Sequence, residues 1–283
     1  MRREVITSRE NQLAKQARAV RDGRVRGLIF VEGLRLCEEA VTAGLSIADV
    51  LYTERFAEDE RGARLLRALL EKSERAALVS EGVLESVSDT KTPQGVVALA
   101  ERPRTGAPEL ERRAVDDTSP PLLLVMHRTN NPANAGAILR AAEAAGATGV
   151  VTTEGSTDIL SPKALRGAMG SGFRLPLWTD AAYAETLAWC AARSIRTVCA
   201  DARAERSYTE LDWTTPRALI LGPEAAGLSE LEAAAADEAV RIPMRAPVES
   251  LNVAVAAAIL LYEAARQRMD ESGVRSRESE VEN

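Results

Sequence analysis

Histidine is almost missing from this sequence, His127 being the single one in 283 residues. The scarcity excludes multi-histidine metal sites, and it excludes Ser-His-Asp chemistry unless His127 itself serves. By the base rate for solitary histidines, His127 is read as non-catalytic. Cysteine is scarce as well: Cys37, Cys190 and Cys199 are odd in number and widely spaced, with no paired metal-ligand pattern. They read as three buried thiols rather than a disulfide framework or a zinc site, so no metal is expected. Long apolar runs are also missing. The longest, Val253 to Tyr262, is far too short to cross a bilayer, and Met1-Arg2-Arg3-Glu4 opens a polar stretch instead of a secretory leader. A cytoplasmic protein without a membrane partner is expected.

Apolar residues make up 46% of the chain, enough for real cores, and 283 residues exceed the common size of one domain, so two domains are expected. The formal net charge of −6 speaks against nucleic acid as a sum, but not in its distribution. From Arg2 to Arg35, nine basic residues (Arg2, Arg3, Arg9, Lys15, Arg18, Arg21, Arg24, Arg26, Arg35) stand against four acidic ones, which makes a basic front end. From Asp270 to Asn283, five acidic residues stand against two arginines, a composition that reads as a disordered acidic tail over 270–283. Arg9, Lys15, Arg18, Arg35 and Lys91 are the candidates for phosphate contact; plain solvation of helix faces is the alternative.

Residues 8–22 have a polar helical pattern, with Ser8 as N-cap and Gly23 near the stop. Short apolar runs at Leu28-Ile29-Phe30-Val31, Val50-Leu51-Tyr52, Ala77-Leu78-Val79 and Gly95–Leu99 alternate with helices through Leu36 to Val41 and Arg61 to Ser73, a small α/β domain over 1–102. Prolines, glycine and charges fill 103–121, the composition of a linker. Beyond it, Leu122–Met126 and Gly149–Thr152 bracket a helix from Ala135 to Ala145, a βαβ-type unit. Ser161-Pro162 opens another helix, Leu177 a strand, Asp180 caps a helix to Arg193, and Thr197–Cys199 and Ala218–Leu221 are further strands. Asn252–Met269 is apolar on most faces and is expected to pack on the sheet or a second subunit. The second domain thus covers 122–269.

Three segments of that domain follow strands and carry chemistry. Asn130-Asn131-Pro132-Ala133-Asn134-Ala135-Gly136-Ala137-Ile138-Leu139-Arg140 feeds an Asn/Gly turn into a helix start whose free N–H groups suit an anionic ligand, with the Arg140 fork available for a phosphate. Taken alone, Asn134 reads as an N-cap and Arg140 as a surface charge. Leu219-Ile220-Leu221-Gly222-Pro223-Glu224-Ala225-Ala226-Gly227-Leu228-Ser229 ends a buried strand in a Gly/Pro turn with one carboxylate, where open sheets place ligands. Ile242-Pro243-Met244-Arg245-Ala246-Pro247-Val248-Glu249-Ser250-Leu251-Asn252 is a strand and proline-rich loop leading into the apolar helix, and Ser250 and Asn252 alone would be plain caps.

In this order and spacing, the three segments resemble the SpoU/TrmH branch of the SPOUT methyltransferases, over residues 120–268. The front half, with Ser8, Asn11, Phe30-Val31-Glu32-Gly33 and Ser88-Asp89-Thr90-Lys91-Thr92-Pro93-Gln94-Gly95-Val96, is similar to the RNA-binding domain fused to many members, a smaller α/β fold like that of a ribosomal protein. The resemblance implies a C-terminal α/β knot domain with a deep trefoil knot, against the default of an unknotted chain. It also implies a homodimer, S-adenosylmethionine as cofactor, and 2′-O-methylation of ribosomal or transfer RNA, ribosomal RNA being favoured by the front domain. The motif departs from the family at Asn131-Pro132-Ala133, where an acidic residue often precedes proline and glycine follows it, and at Ala168, where relatives often carry serine.

The residues carried over are Asn134, Arg140, Glu224, Ser250 and Asn252 as catalytic, with Leu221, Gly222, Glu224, Ile242, Met244, Ser250, Leu251 and Asn252 around the cofactor. A guanidinium is a poor base, so Arg140 is expected to hold the target phosphate and stabilise charge on the 2′ oxygen while that phosphate or a water takes the proton. Asn134 is expected to hold the first loop and RNA, Glu224 the loop geometry or the nucleotide, and Ser250 and Asn252 the start of the last helix. Gly167–Gly172 resembles a nucleotide loop only faintly, lacking the preceding strand and the Lys-Ser/Thr ending. The rival reading is a non-catalytic RNA-binding or ribosome-assembly protein on the same fold.

Overall fold

The structure, a computed structural model, describes residues 5–114 and 119–281, with side chains omitted at 113, 114 and from 270 on. Arg2 and Arg3 of the basic front end, and the charged side chains of 270–283, lie outside the described residues. The first unit comprises Met1–Pro103 together with Asp158–Arg174, and the second Arg104–Thr157 with Leu175–Asn283.

In the first unit, α1 (Gln12–Arg21), β1 (Leu28–Glu32), α2 (Leu34–Thr42), β2 (Ile47–Tyr52), α3 (Glu54–Glu58), α4 (Glu60–Lys72), β3 (Ser73–Leu78), α5 (Glu81–Val87) and β4 (Val96–Glu101) follow one another. The sheet order is β1-β4-β2-β3, with β4 antiparallel to both neighbours and β2 parallel to β3. Phe30, Leu51, Val97 and Leu99 meet Ala14, Ala17 and Val20 of α1 and Val83, Leu84 and Val87 of α5 in one core. Asn11, not Ser8, caps α1: the Asn11 side chain accepts from Leu13 N–H, while the Ser8 hydroxyl accepts from Glu10 N–H at 3.2 Å and closes a turn before the helix. The short helices α3 and α5 carried no long periodic signal and are visible only in the fold.

The second unit begins with α6 (Ala107–Ala114), which lies inside the stretch expected to be linker. Its Leu110 is buried against Leu123, Trp178 and their neighbours, and a helix with one anchored apolar side chain folds despite flanking prolines. Then come β5 (Leu122–Met126), α7 (Pro132–Ala144) and β6 (Gly149–Thr153); α8 (Pro162–Ala168) and α9 (Ser171–Arg174) belong to the first unit, where α8 packs on β1. The chain returns through β7 (Leu177–Ala181), α10 (Tyr183–Ala191), β8 (Arg196–Ala200), β9 (Arg217–Leu221), α11 (Glu230–Ala234), β10 (Glu238–Val240) and α12 (Val253–Val281). The six-stranded sheet runs β10-β8-β9-β5-β6-β7, every pair parallel. β5 and β9 at its centre are buried at every position, as parallel strands covered on both faces must be.

Two local expectations are corrected. Asp180 stands inside β7 with φ 59 and Ala182 precedes α10, so Asp180 is not its cap. The helix α12 runs to Val281, through the stretch whose composition read as a disordered tail from 270; once nucleated, a helix adds one hydrogen bond for each residue it orders. The anchor lies earlier: Gln267 accepts from Trp213 N–H at 2.9 Å, and Arg268 donates to the Trp213 carbonyl at 2.8 Å.

Candidate functional site

The sheet changes direction between β5 and β9. From β5 the chain moves outward through β6 and β7, then crosses to β8 and inserts β9 beside β5. Ligands of parallel sheets bind beyond the carboxyl ends of strands at such a reversal, and three loops gather there: 127–131 after β5, 222–229 after β9 and 241–252 after β10.

Glu224 joins the first two loops. Its carboxylate accepts from the main-chain N–H groups of Asn130 and Asn131, each at 3.2 Å, and from the Asn134 amide at 3.5 Å. Burial alone would raise this carboxyl, but those N–H groups and its own backbone N–H hold it below the usual carboxylate range. Asn252 joins the third loop: its amide donates to Asn134 Oδ1 at 3.2 Å while its own Oδ1 accepts from Ala254 N–H at 2.9 Å, capping α12. Glu224, Asn134 and Asn252 thus form one chain across all three segments. Asn131, not Asn134, caps α7: its Oδ1 accepts from Ala133 N–H at 2.9 Å with Pro132 in the first turn, so the helix starts three residues before the expected Ala135. That shift frees the Asn134 side chain for Glu224 and Asn252.

A cavity of about 330 Å³ opens between the second and third loops, lined by Leu221, Gly222, Glu224, Ile242, Met244, Ser250 and Leu251 among others. Its size suits a small cofactor. Asn252 and Asn134 stand beside it rather than in its lining. Leu228, Val240 and Val253 add apolar wall, and Asp201 and Arg203, after β8, add a polar edge that the sequence reading missed. The signal was there: Asp201 follows the apolar run Thr197-Val198-Cys199 at a strand's carboxyl end. Asp201 is held below the ordinary aspartate range by the Arg203 guanidinium, against the opposing effect of burial. Apolar walls with a polar edge fit a small ligand that joins an aromatic ring to polar groups, as S-adenosylmethionine does.

Arg140 is not in this lining. It lies six residues beyond Asn134 on α7, about 240° around the helix and about 9 Å along it, exposed and without a hydrogen bond or ion pair to any described residue.

In the first unit, the two motif segments of the front half meet. Glu32, 6% exposed, accepts from Asp89 N–H at 2.9 Å and the Thr90 hydroxyl at 2.8 Å, and also from the Ser88 hydroxyl. Gly33 has φ 92, and a Cβ there would stand 2.8 Å from Gln94 Oε1, which accepts from Leu34 N–H at 2.9 Å; the loop closes only around glycine. Of the five expected RNA contacts, Arg9 and Arg18 are engaged within the unit, Arg9 with the Gly82 carbonyl at 3.2 Å and Arg18 with the Arg9 carbonyl at 2.8 Å. Lys15 pairs with Glu10 at 2.8 Å. Arg35 and Lys91 are exposed and unpaired among the described residues, and Arg35 edges a cavity of about 360 Å³ with Arg55, Arg61, Phe56 and Gln94.

Comparison with known proteins agrees with this geometry. Residues 121–262 match the SpoU rRNA Methylase family, and residues 11–98 match the MRM3-like substrate binding domain. The 23S rRNA (uridine(2479)-2′-O)-methyltransferase of Streptomyces viridochromogenes is 33% identical over 93% of this chain and 92% of its own length. The 23S rRNA (guanosine-2′-O-)-methyltransferase RlmB of Bordetella pertussis is 34% identical over 81% of this chain and 95% of its own. Among solved structures, the SpoU methyltransferase AviRb of Streptomyces viridochromogenes in complex with the cofactor AdoMet is similar with a TM-score of 0.82 and 31% identity, covering 92% of this chain and 99% of that one.

Proposed function

The chain belongs to the SpoU rRNA methylase family, and from that premise we propose that it transfers a methyl group from S-adenosylmethionine to a ribose 2′-hydroxyl of structured ribosomal RNA, in the cytoplasm. The observation that carries this reading is the convergence of the three strand-end loops on the cavity at Leu221, Ile242, Met244 and Ser250, joined through Glu224, Asn134 and Asn252.

S-adenosylmethionine supplies an electrophilic methyl group on a sulfonium. The chain holds it with the main-chain groups of Leu221, Gly222, Ile242 and Leu251 and the apolar walls around them, while Ser250 and Asn252 order the start of α12. Glu224 keeps the first loop in register with the second, so that Asn134 meets RNA in a fixed orientation. Orientation of this kind contributes much of the rate in such reactions, on the order of 7 to 11 kcal/mol in favourable cases. Arg140 binds the target phosphate and stabilises charge on the 2′ oxygen, and that phosphate or a water accepts the proton.

Since Arg140 faces outward from α7, it acts in a homodimer. Val255, Tyr262 and Met269, 49%, 54% and 63% exposed, fall seven residues apart on one face of α12, which packs along α7. A second copy seated on that face brings the partner subunit's guanidinium toward the cavity. The C-terminal domain carries a trefoil knot, a reading supported by its family membership and by the return of α12 onto α7 after the loop 241–252. The first unit is the RNA-binding domain, with Arg35 and Lys91 among its unengaged cations.

Calorimetry with S-adenosylmethionine and mapping of 2′-O-methyl positions in ribosomal RNA test the reading together. Tight donor binding, with Arg140→Ala lowering turnover at least about 100-fold and changing donor affinity less than about twofold, is expected. A protein that binds RNA but no donor would instead be the non-catalytic rival, and unchanged turnover would remove Arg140 from the reaction.

A further inference from the structure

His127 is a buried titratable group at the end of the central strands that the transfer chemistry leaves unused. It follows β5 directly, is 2% exposed, and its N–H extends the β5–β9 pairing to the Leu221 carbonyl at 2.8 Å. Both ring nitrogens are engaged. Arg128 N–H donates to Thr153 Oγ1 at 3.1 Å, and the same hydroxyl stands in hydrogen-bond contact with His127 Nδ1 at 2.9 Å. The ionised Glu232 carboxylate can only accept, so Nε2 carries a proton and donates it to Glu232 Oε1 at 3.0 Å. Tyr183 closes the cluster, its ring centroid 4.4 Å from the imidazole and its hydroxyl donating to the Glu232 carbonyl at 2.9 Å.

Glu232 is also the third residue of α11, and there it accepts from Ser229 N–H at 2.9 Å and Ser229 Oγ at 2.7 Å, completing a capping box. Ser229 is where the loop from Gly222 ends. That loop folds on itself, Gly227 N–H donating to the Pro223 carbonyl at 3.0 Å, and Leu221 through Leu228 line the cavity. Its inner end is fixed by β9. At its outer end, the capping carboxylate is tied to the end of β5, among the described residues, through His127 and Arg128, and the Arg128 side chain is 58% exposed, where an ion pair holds little.

We propose that His127 is a positioning residue for methyl transfer: through Glu232 and Ser229 it pins the outer end of the Gly222–Ser229 loop to β5 and so sets the shape of the donor site. The inference rests on the reading of that cavity as the S-adenosylmethionine site. It does not require His127 to touch the donor or the RNA.

Three substitutions test it in the full-length protein, with donor affinity by calorimetry, KM for RNA, kcat and thermal midpoint measured for each. His127→Phe keeps a ring but donates nothing to Glu232; Glu232→Gln removes the charge from the other side; His127→Gln restores an N–H donor. Donor affinity is expected to weaken about tenfold in His127→Phe and in Glu232→Gln, with KM for RNA within about twofold of wild type. His127→Gln is expected to recover most of that loss. The double variant His127→Phe with Glu232→Gln should lose no more than the worse single, since both break one connection. Unchanged donor affinity in either folded variant, or an equal loss toward RNA, overturns the proposal. If His127→Phe does not fold, Glu232→Gln and His127→Gln carry the test. Absence of donor binding by the wild-type protein is a separate result and overturns the donor-site reading instead.

Discussion

Glu224 and Glu232 do different work from neighbouring positions. Glu224 spends its oxygens on main-chain N–H groups of the first loop, so its charge serves geometry. Glu232 is held down to about 2 by the Ser229 backbone N–H first, then the Ser229 hydroxyl and His127, burial opposing. Its folded value lies below its ordinary 4.5, so the stability it contributes is fully present above about pH 4.5 and is lost as the pH falls from there toward 2. Urea midpoints followed across that range are expected to fall steeply for wild type and less so for Glu232→Gln. Equal slopes would mean that the carboxylate is no better solvated in the fold than in the open chain. Asn131 and Asn252 cap helices, and replacing such a cap by alanine costs about 1 kcal/mol. Asn252→Ala also removes the bond to Asn134.

At the scale of elements, the loop after β9 depends on one close approach. A Cβ on Gly222 would stand 2.7 Å from Leu228 N and 2.9 Å from Gly227 C, both main-chain atoms of the same loop, so the loop cannot yield without opening. Gly222→Ala is therefore expected to weaken donor binding more than tenfold while costing about 1 to 3 kcal/mol of stability, read by calorimetry and urea titration. Wild-type donor affinity in this variant would show that the loop is not part of the donor site. The front unit has its own version of this closure at Gly33 and Gln94, beside Arg35, an exposed guanidinium with no partner among the described residues. Charge reversal of Arg35 and Lys91 together is expected to raise KM for RNA at least about tenfold and to flatten its dependence on salt, with donor affinity unchanged. The arginines used internally, Arg9 and Arg18, should instead reduce stability when removed.

At the scale of the whole molecule, the proposed homodimer rests on one helix face. Tyr262→Glu places a charge on the exposed stripe of α12, away from Leu260, Leu261 and Ala264, which are buried. Sedimentation is expected to report a monomer, with thermal midpoint nearly unchanged and turnover lost because Arg140 has no cavity to reach. A dimeric Tyr262→Glu protein of full activity would require another interface. α8 and α9 leave the parallel sheet between β6 and β7 and fold with the four-stranded unit, so a truncation at 102 would expose the face of β1 that α8 covers.

Local signals in the sequence were enough to name the α/β class, the buried strands β5, β6 and β9, the three loop motifs and part of the cavity lining (Leu221, Gly222, Glu224, Ile242, Met244, Ser250 and Leu251), because apolar runs, turn residues and caps act over a few residues. They erred where a cap was chosen between near equivalents, Ser8 against Asn11 and Asn134 against Asn131, and where composition stood in for packing, at α6. Long-range pairing decided the rest. Strand order put His127 beside Glu232 across 105 positions and Asn134 beside Asn252 across 118, and no local pattern encodes which distant side chain will satisfy a buried ring or amide.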